Sequence, residues 1–367
     1  MNILIFTWKD RQHPLAGGAE VVNEELIRRL VADGHQVTAV VGGFPGCEPE
    51  EMVDGYRVIR LGNAYTVYLH AWRYYRAHLQ GWADLVIEEV NTIPFFTRFY
   101  VHEQKLLFFH QLCRRIWFYQ MIPPFNLLGF LAEPLYLRML AAGGKVVTVS
   151  ESTKQDLARY GFNRGEIELI SEGISIKPVA NLNSVEKYNE PTLLSFGAVR
   201  AMKRTLHQVQ AFEIAKLHIP RLKLRVAGKL NGRYGKKVWR AIMKSRFSDD
   251  IEYVGEATPA QREELMQRSH LIMQTAVKEG WGLTITEAAS QGTPAVAYNV
   301  DGLRDSIRNN ETGIITDCNP SALAQGIVNA LRDEQAYTAM RKSAWRWSQD
   351  ITFEQCYSDF KRALELA

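Results

Sequence analysis

Cysteine is scarce in this sequence, and the few cysteines that occur are far apart. The 367 residues contain four, and these are Cys47, Cys113, Cys318 and Cys356. No Cys-x-x-Cys pair occurs, so the spacing excludes the common zinc sites and gives no basis for a disulfide framework. Such usage is typical of proteins in a reducing compartment, and we expect a cytoplasmic location.

Long apolar runs are also missing. The longest stretch without a charged residue, 116–132, is short for a membrane span and carries Gln120, Asn126 and two adjacent prolines. The N-terminal segment MNILIFTWKD lacks the basic start and long apolar core of a signal peptide, and it predicts a first strand instead. The sequence therefore predicts no transmembrane helix, while peripheral contact with a membrane stays open.

Several catalytic signatures are absent as well. The sequence contains no Asp-x-Asp, no His-Glu-x-x-His, no Gly-x-Ser-x-Gly and no P-loop. Such motifs hold metals, activate a serine or cradle phosphates in the proteins that carry them. Their absence favours a reaction without metal or cofactor, in which helix N-termini and cations take the role of Mg²⁺.

What remains is an ordinary globular composition. Hydrophobic residues make up 46% and charged residues 23%, and the formal net charge is +4. The length predicts two domains of typical size. Short apolar runs alternate with helical patterns, and the candidate strands are 2–7, 36–41, 84–87, 106–109, 146–149, 192–196, 223–227, 251–254, 271–274 and 295–298. This alternation predicts an α/β fold with two doubly wound parallel sheets.

Composition also predicts the domain limits. The stretch 176–190 is polar and poor in large apolar residues, so it predicts a linker. We expect an N-terminal domain over 1–175 and a second domain over 191–343. The last stretch, 344–367, carries aromatic residues at helical spacing and predicts a closing helix that packs back on the N-terminal domain.

Two glycine-containing turns precede predicted helices. Gly17 and Gly18 stand before the first helix, and Gly282 stands before a helix that begins at about Leu283. Backbone N–H groups at such helix starts can bind an anion. An ordinary strand-to-helix connection explains the first turn equally well.

Two carboxylates frame the second turn. Glu279 precedes it, and Glu287 follows eight residues later, inside the helix. Both can accept hydrogen bonds from the hydroxyl groups of one ligand, because carboxylate oxygens form strong charge-assisted bonds. The alternative is a glutamate that the helix dipole favours near an N-terminus.

Cations and a histidine follow two other strands. Arg200, Lys203 and Arg204 stand after 192–196, where they suit a diphosphate whose charge must be neutralised as a bond breaks. A solvated basic helix start is the alternative. His110 ends the strand 106–109 and could bond a hydroxyl group or pass a proton, or serve only the structure.

The charge is distributed unevenly along the chain. Residues 200–246 carry 14 Lys and Arg and one acid, a local charge of +13, and the other residues sum to −9. Such a stripe is typical of contact with nucleic acid, anionic lipid or a phosphorylated substrate. No nucleic-acid-binding motif accompanies it. Aromatic residues interleaved with arginines over 65–136 suggest a membrane interface, a sugar-stacking surface or plain core.

These pieces resemble the GT-B-fold retaining glycosyltransferases of glycosyltransferase family 4, the group 1 glycosyl transferases. The segment EGWGLTITE at 279–287 is similar to the family's pair of glutamates around a Gly-aromatic-Gly-Leu core. Further similar segments are GGAE at 17–20, DGHQV at 33–37, VSESTKQDLARYGF at 149–162, ELISEGI at 168–174, the run 253–280 and GTPAVAYNVDG at 292–302. The family's arginine after the glycine of the Phe-Gly turn is Ala198 here, and the nearest arginine is Arg200.

The resemblance implies roles for individual residues. Glu279 would bind donor-sugar hydroxyls, Glu287 the ribose and Lys203 the diphosphate, with Arg200 as a second cation. His110 would lie near the sugar in the catalytic centre. The positions expected to hold phosphates or border the base are Gly17, Gly18, Gly255, Gly282, Leu283 and Thr284.

The resemblance also implies the reaction. We expect a retaining, metal-independent transferase that moves a hexose from a nucleotide sugar, by default a UDP-sugar, to a glycan or lipid-linked acceptor. The site would lie in a cleft that the two domains face. Alternatives are a nucleotide-sugar epimerase or phosphorylase of the same fold, and a basic protein that binds membrane or nucleic acid. We expect no nucleic-acid partner, and peripheral contact with the inner face of an anionic membrane stays open.

Overall fold

The structure is a computed structural model that describes residues 1–141 and 144–365. It contains two compact units. Unit 1 comprises Met1–Gly173 and the chain from Phe353 onward, and unit 2 comprises Ile174–Thr352.

An eight-stranded sheet forms the centre of unit 1. Its strands are β1 (Asn2–Phe6), β2 (Gln36–Gly42), β3 (Glu50–Val53), β4 (Tyr56–Leu61), β5 (Leu85–Glu89), β6 (Gln104–Phe109), β7 (Lys145–Thr148) and β8 (Ile167–Leu169). Their order in the sheet is β3-β4-β2-β1-β5-β6-β7-β8, and the pairs are parallel except β3 with β4. The α-helices between Met1 and Gly173 are α1 (Gly18–Ala32), α2 (Val67–Tyr74), α3 (Trp117–Gln120), α4 (Phe125–Ala141) and α5 (Glu151–Arg159).

Unit 2 has a six-stranded parallel sheet. Its strands are β9 (Thr192–Phe196), β10 (Lys223–Ala227), β11 (Ile251–Gly255), β12 (Leu271–Gln274), β13 (Ala295–Tyr298) and β14 (Gly313–Thr316), in the order β11-β10-β9-β12-β13-β14. The helices are α6 (Thr205–Lys216), α7 (Gly232–Lys244), α8 (Pro259–Arg268), α9 (Leu283–Ser290), α10 (Pro320–Arg332) and α11 (Glu334–Ser348). The strands carry the apolar runs because helices cover both faces of the sheet.

The ten predicted strands are all present, and the two doubly wound sheets are confirmed. Four further strands, β3, β4, β8 and β14, have no counterpart in the prediction. Strand β3 reads Glu-Glu-Met-Val and lies at the sheet edge, so its alternating exposure replaces the continuous apolar run expected of a buried strand.

Strand order creates a topological switch point in unit 2. From β9 the chain proceeds outward to β10 and β11, and it then returns to the other side of β9 with β12. The loops after β9 and β12 therefore leave the carboxyl edge of adjacent strands in opposite directions. Open α/β sheets bind ligands in the crevice that such loops leave.

The segment expected to be one closing helix is two helices. Helix α11 ends at Ser348, and α12 (Phe353–Glu365) begins after a break at 349–352, while residues 366 and 367 lie outside the described part. Helix α12 belongs to unit 1, where the Tyr357 hydroxyl donates to Asp33 Oδ2 at 2.9 Å. Phe360 is buried with its ring 6.2 Å from that of Phe108.

The polar segment 176–190, predicted as a linker, is part of unit 2 in the structure. Lys187 Nζ is within 2.7–2.8 Å of four oxygens, three of them carbonyls near the ends of α8 and α9. Burial lowers the pKa of this ammonium well below its usual value. A segment that looks solvated by composition thus contributes an ammonium group with four oxygen partners.

Candidate active site

An ion pair stands at the switch point of unit 2. Lys203 Nζ donates to Glu279 Oε1 at 2.5 Å. Lys203 comes from the loop after β9 and Glu279 from the loop after β12, so the pair joins the two loops that diverge at this edge. Both side chains are partly exposed, at 24% and 17%, and a ligand can reach them.

Backbone contacts hold the two loops together. Val277 N donates to the Met202 carbonyl at 2.8 Å, and the Thr275 hydroxyl donates to the Lys203 carbonyl at 2.8 Å. Because these bonds fix the main chain of Lys203 to the loop that carries Glu279, the pair's position follows from the fold rather than from the two side chains alone.

The loop after β13 supports Glu279 from the other side. Glu279 N donates to the Asp301 carbonyl at 3.0 Å, and Lys278 Nζ contacts Asp301 Oδ2 at 2.6 Å. A Cβ at Gly302 would lie 2.3 Å from the Glu279 carbonyl oxygen. Only glycine fits at that approach, which explains the Asp-Gly pair of the sequence.

The N-terminus of α9 opens at the same loop. Gly282 precedes the helix with φ of +117°, a conformation that favours glycine. Leu283 and Thr284 form the first turn, and the Thr284 hydroxyl accepts a bond of 2.9 Å from Gln274 Nε2. First-turn N–H groups lack helical partners and attract anions. The edge thus offers a cation, a helix N-terminus and a carboxylate, which together suit a phosphorylated ligand with hydroxyl groups.

Glu287 lies deeper than Glu279. Its side chain is 5% exposed, and its Oε1 forms an ion pair with Arg262 of α8 and accepts a bond of 3.1 Å from the Ser175 hydroxyl. Arg262 is not among the residues predicted from the sequence, because a cation on an amphipathic helix has the pattern of a solvated face. The ion pair fixes one oxygen of the carboxylate that the resemblance assigns to a ribose.

The other unit 2 positions lie around this edge. Arg200 is exposed and precedes the turn of Lys203, whose N–H donates to the Arg200 carbonyl at 2.9 Å. Gly255 ends β11 with φ of +83°, and its carbonyl accepts a bond of 2.6 Å from Gly228 N. Gly228 in turn packs so close to Gly197 that a Cβ would lie 2.0 Å from the Gly197 carbonyl oxygen. Close backbone contacts therefore join the ends of β9, β10 and β11.

In unit 1, His110 belongs to a buried hydrogen-bonded chain. Asn23 of α1 donates from Nδ2 to Glu89 Oε2 at 2.5 Å, and its Oδ1 lies 3.1 Å from His110 Nε2. Since Oδ1 can only accept, Nε2 carries the imidazole proton and Nδ1 is left as an acceptor.

Burial sets the protonation of this chain. It lowers the pKa of His110 to about 4 and raises the pKa of Glu89 to about 8. The imidazole is therefore neutral at physiological pH, and Glu89 holds its proton there. A neutral His110 suits hydrogen bonding to a hydroxyl group better than donation of a proton.

Gly17 and Gly18 begin α1 in the same unit. Gly17 N donates to Glu20 Oε2 at 2.5 Å, and Glu20 Oε1 lies 3.2 Å from Lys9 Nζ. The helix start thus already has a carboxylate partner. Among the candidates, the structure brings together Lys203, Glu279, Gly282, Leu283 and Thr284 in unit 2, while Gly17, Gly18 and His110 lie in unit 1.

Acids outside residues 200–246 offset part of the basic stripe. Lys216 and Lys223 each contact Asp250 at 2.6 Å, and Arg225 contacts Glu252 at 2.8 Å. Strand β11 lies beside β10, so these acids neutralise cations that precede them by about 30 residues in the chain. Exposed cations remain on α7, where Lys236, Lys237 and Arg240 lie.

The described part of the chain has neither a metal-binding cluster nor a membrane-spanning helix. Residues 1–141 and 144–365 contain no cluster of three or more His, Cys, Asp or Glu side chains arranged to hold a metal ion. In the same ranges, no helix has the length and apolarity needed to cross a membrane.

Two family models match the chain side by side. The model described as Glycosyltransferase Family 4 matches residues 16–177, and the model described as Glycosyl transferases group 1 matches residues 181–347. Together they include both turns and both glutamates of the candidate site.

Curated relatives are distant. The poly(glycerol-phosphate) alpha-glucosyltransferase of Bacillus subtilis is 28% identical over 151 residues, which are 41% of this chain and 22% of that protein. The chain thus matches about a fifth of that relative's length. The glycogen synthase of Mycobacterium tuberculosis is 23% identical over 377 aligned positions, which cover 94% of this chain and 89% of the relative.

Solved structures share the fold along the whole chain. Sucrose-phosphate synthase from Thermosynechococcus elongatus superposes with a TM-score of 0.82 at 19% identity, covering 100% of this chain and 98% of that one. The Anabaena protein HepE, in complex with UDP-glucose, superposes with a TM-score of 0.73 at 14% identity and 100% coverage of both chains. At such identities the likeness shows a common GT-B architecture.

Proposed function

Because this chain belongs to the group 1 glycosyltransferases of glycosyltransferase family 4, we propose that it transfers a hexose from a nucleotide sugar, by default a UDP-sugar. The acceptor is a glycan or a lipid-linked saccharide, and the anomeric configuration is retained. The observation that carries the proposal is the Lys203–Glu279 pair at the switch point, beside the N-terminus of α9.

In the proposed complex, the donor replaces Glu279 as the partner of Lys203. The ammonium and the first-turn N–H groups of α9 contact the diphosphate, and Glu279 is released to accept bonds from sugar hydroxyls. Glu287, with one oxygen held by Arg262, binds the ribose through its other oxygen. The HepE complex with UDP-glucose supports this class of donor through its shared fold.

The proposed chemistry is stabilisation of a leaving group. The bond between the sugar's anomeric carbon and the phosphate oxygen breaks as a bond to the acceptor oxygen forms, and the proton of the acceptor hydroxyl passes to the departing phosphate oxygen. No covalent enzyme intermediate is required. Lys203, Arg200 and the helix N-terminus neutralise charge that develops on the departing diphosphate. His110, neutral and with Nδ1 unprotonated, accepts a hydrogen bond from a hydroxyl group near the reacting carbon.

The donor is tested by ligand-induced stabilisation. UDP-, GDP- and ADP-sugars are compared at equal concentration, and the cognate donor raises the melting temperature most because it binds the folded state. Transfer is then followed as release of nucleoside diphosphate that depends on an acceptor, with and without EDTA. We expect equal rates in both. Isomerisation of the nucleotide sugar without an acceptor would favour an epimerase instead and overturn the proposal.

A further inference from the structure

Helix α4 of unit 1 exposes a continuous apolar face. Its outward side chains include Leu128, Leu131, Leu135 and Met139, at the three- and four-residue spacing of one helix face. Each is between 51% and 61% exposed. The opposite face buries Tyr136, Leu137 and Leu140 in the core. The helix is therefore apolar on both sides, although only one side packs against unit 1.

The turn before α4 continues this surface. Phe118 and Tyr119 of α3 are 46% and 42% exposed, and Ile122 is 73% exposed. We call the exposed apolar residues of 118–139 the α4 patch: Phe118, Tyr119, Ile122, Phe125, Leu127, Leu128, Leu131, Leu135 and Met139. Monomeric proteins rarely expose so many large apolar side chains together unless the surface has a partner.

The exposed charges of segment 114–141, which carries the α4 patch, have one sign. Segment 114–141 contains three arginines and one acid, Glu133. Arg115 and Arg138 are exposed, whereas Glu133 is 2% exposed and accepts bonds from the N–H groups of Cys113 and Arg114. The exposed part of the segment is thus apolar and cationic, which complements a surface that is apolar beneath an anionic layer.

A depression adjoins the carboxyl end of the patch. It has a volume of about 350 Å³ and is lined by Arg138, Arg159, Tyr160 and small residues. Arg159 also pairs with Asp156, at 2.8 Å. The depression gives an anionic headgroup a place beside the apolar face.

We propose that the α4 patch docks unit 1 on the surface of an anionic lipid bilayer, with α4 lying in the plane of the interface. Leucines and aromatic rings enter the boundary between headgroups and acyl chains, while Arg115 and Arg138 meet lipid phosphates. At 17 residues with Pro134 inside it, α4 lies along the membrane rather than across it. A second copy of the chain is a poorer occupant, because the patch has no exposed acid to meet its own arginines.

The test is flotation of the full chain with vesicles. Vesicles of phosphatidylcholine alone are compared with vesicles that contain phosphatidylglycerol as well, at low and high salt. We expect the protein to bind the anionic vesicles, and hydrogen exchange to slow within 117–141 when it does. The proposal is independent of the sugar donor, so it and the proposed function can fail separately.

Variants localise the contact. Leu131→Gln/Leu135→Gln lowers the partition constant on anionic vesicles by about tenfold or more, because two exposed apolar side chains no longer enter the interface. Arg138→Gln lowers it about fivefold and weakens its salt dependence. Leu217→Gln, at a comparably exposed leucine of unit 2, leaves binding unchanged. Unchanged melting temperatures show that the variants are folded.

Three results would overturn the proposal. If the wild-type protein floats with neither kind of vesicle, the α4 patch does not bind a lipid surface. If Lys236→Gln/Lys237→Gln lowers the partition constant on anionic vesicles as much as the leucine variant does, or more, the contact lies on α7. Sedimentation of the wild type as a dimer, with the leucine variant monomeric and neither binding lipid, assigns the α4 patch to self-association.

Discussion

Replacement of Lys203 by alanine separates a catalytic role from a structural one. The pair with Glu279 is partly exposed and joins two loops that backbone bonds already hold. Its loss should therefore cost at most about 1 kcal/mol of folding stability. If Lys203 contacts the departing diphosphate, the same change removes about 3 kcal/mol of transition-state stabilisation, which lowers kcat/KM by two to three orders of magnitude.

The assay measures nucleoside diphosphate release under initial-rate conditions, with melting temperature recorded for each variant. Lys223→Ala is the matched control, because Lys223 forms an ion pair of 2.6 Å with Asp250 at the start of β10, on the opposite edge of the same sheet. We expect this control to keep wild-type kcat/KM with a similar small change in stability. Wild-type turnover in Lys203→Ala, or an equal loss in both variants, would refute the assignment.

Three further predictions concern buried charges. Arg262→Ala leaves the buried carboxylate of Glu287 without its cation, and urea unfolding should show a loss of about 2 kcal/mol, much of it recovered in Arg262→Ala/Glu287→Gln. The pKa of Glu89 is raised to about 8 in the folded state, so its favourable contribution is complete below pH 4.5 and is lost as pH rises through 8. The free energy of unfolding of Glu89→Gln and of wild type should be measured at pH 5 and at pH 8.5. From the lower to the higher pH, the variant should gain stability relative to wild type on the order of a few kcal/mol. A difference that stays constant with pH would contradict this. Because the pKa of His110 is about 4, its imidazole does not titrate near pH 6.5. The pH profile of kcat/KM should therefore contain no ionisation near pH 6.5 that disappears in the His110→Asn variant.

Strand positions were predictable because a buried parallel strand is a short apolar run, and that signal is local. Strand order was harder, because pairing depends on crossovers rather than on any one segment. Lys203 and Glu279 are 76 residues apart in the chain, yet β9 and β12 are neighbours in the sheet. Their residue types and turns marked them as candidates, while the 2.5 Å contact came from the fold.

Residues whose role depends on a partner distant in the chain could not be predicted from the sequence. Arg262 is one of several charged residues on a polar helix, and only its approach to Glu287 distinguishes it. The basic stripe is a related case. The stripe ends at residue 246, four residues before Asp250. That acid lies beside Lys216 and Lys223 because β11 pairs with β10. Charge along a chain predicts surface potential poorly where sheet pairing brings distant acids alongside.

Helix α12 follows unit 2 in the chain, yet it completes unit 1. Residues up to Gly173 emerge early, but the core around Phe108 lacks Phe360, and Asp33 lacks Tyr357, until α12 is made. Unit 2, which is continuous in the chain, can finish folding while unit 1 still exposes apolar surface. A chain cut between unit 2 and α12 would therefore leave unit 2 whole and damage unit 1, whose strands all precede unit 2 in the sequence.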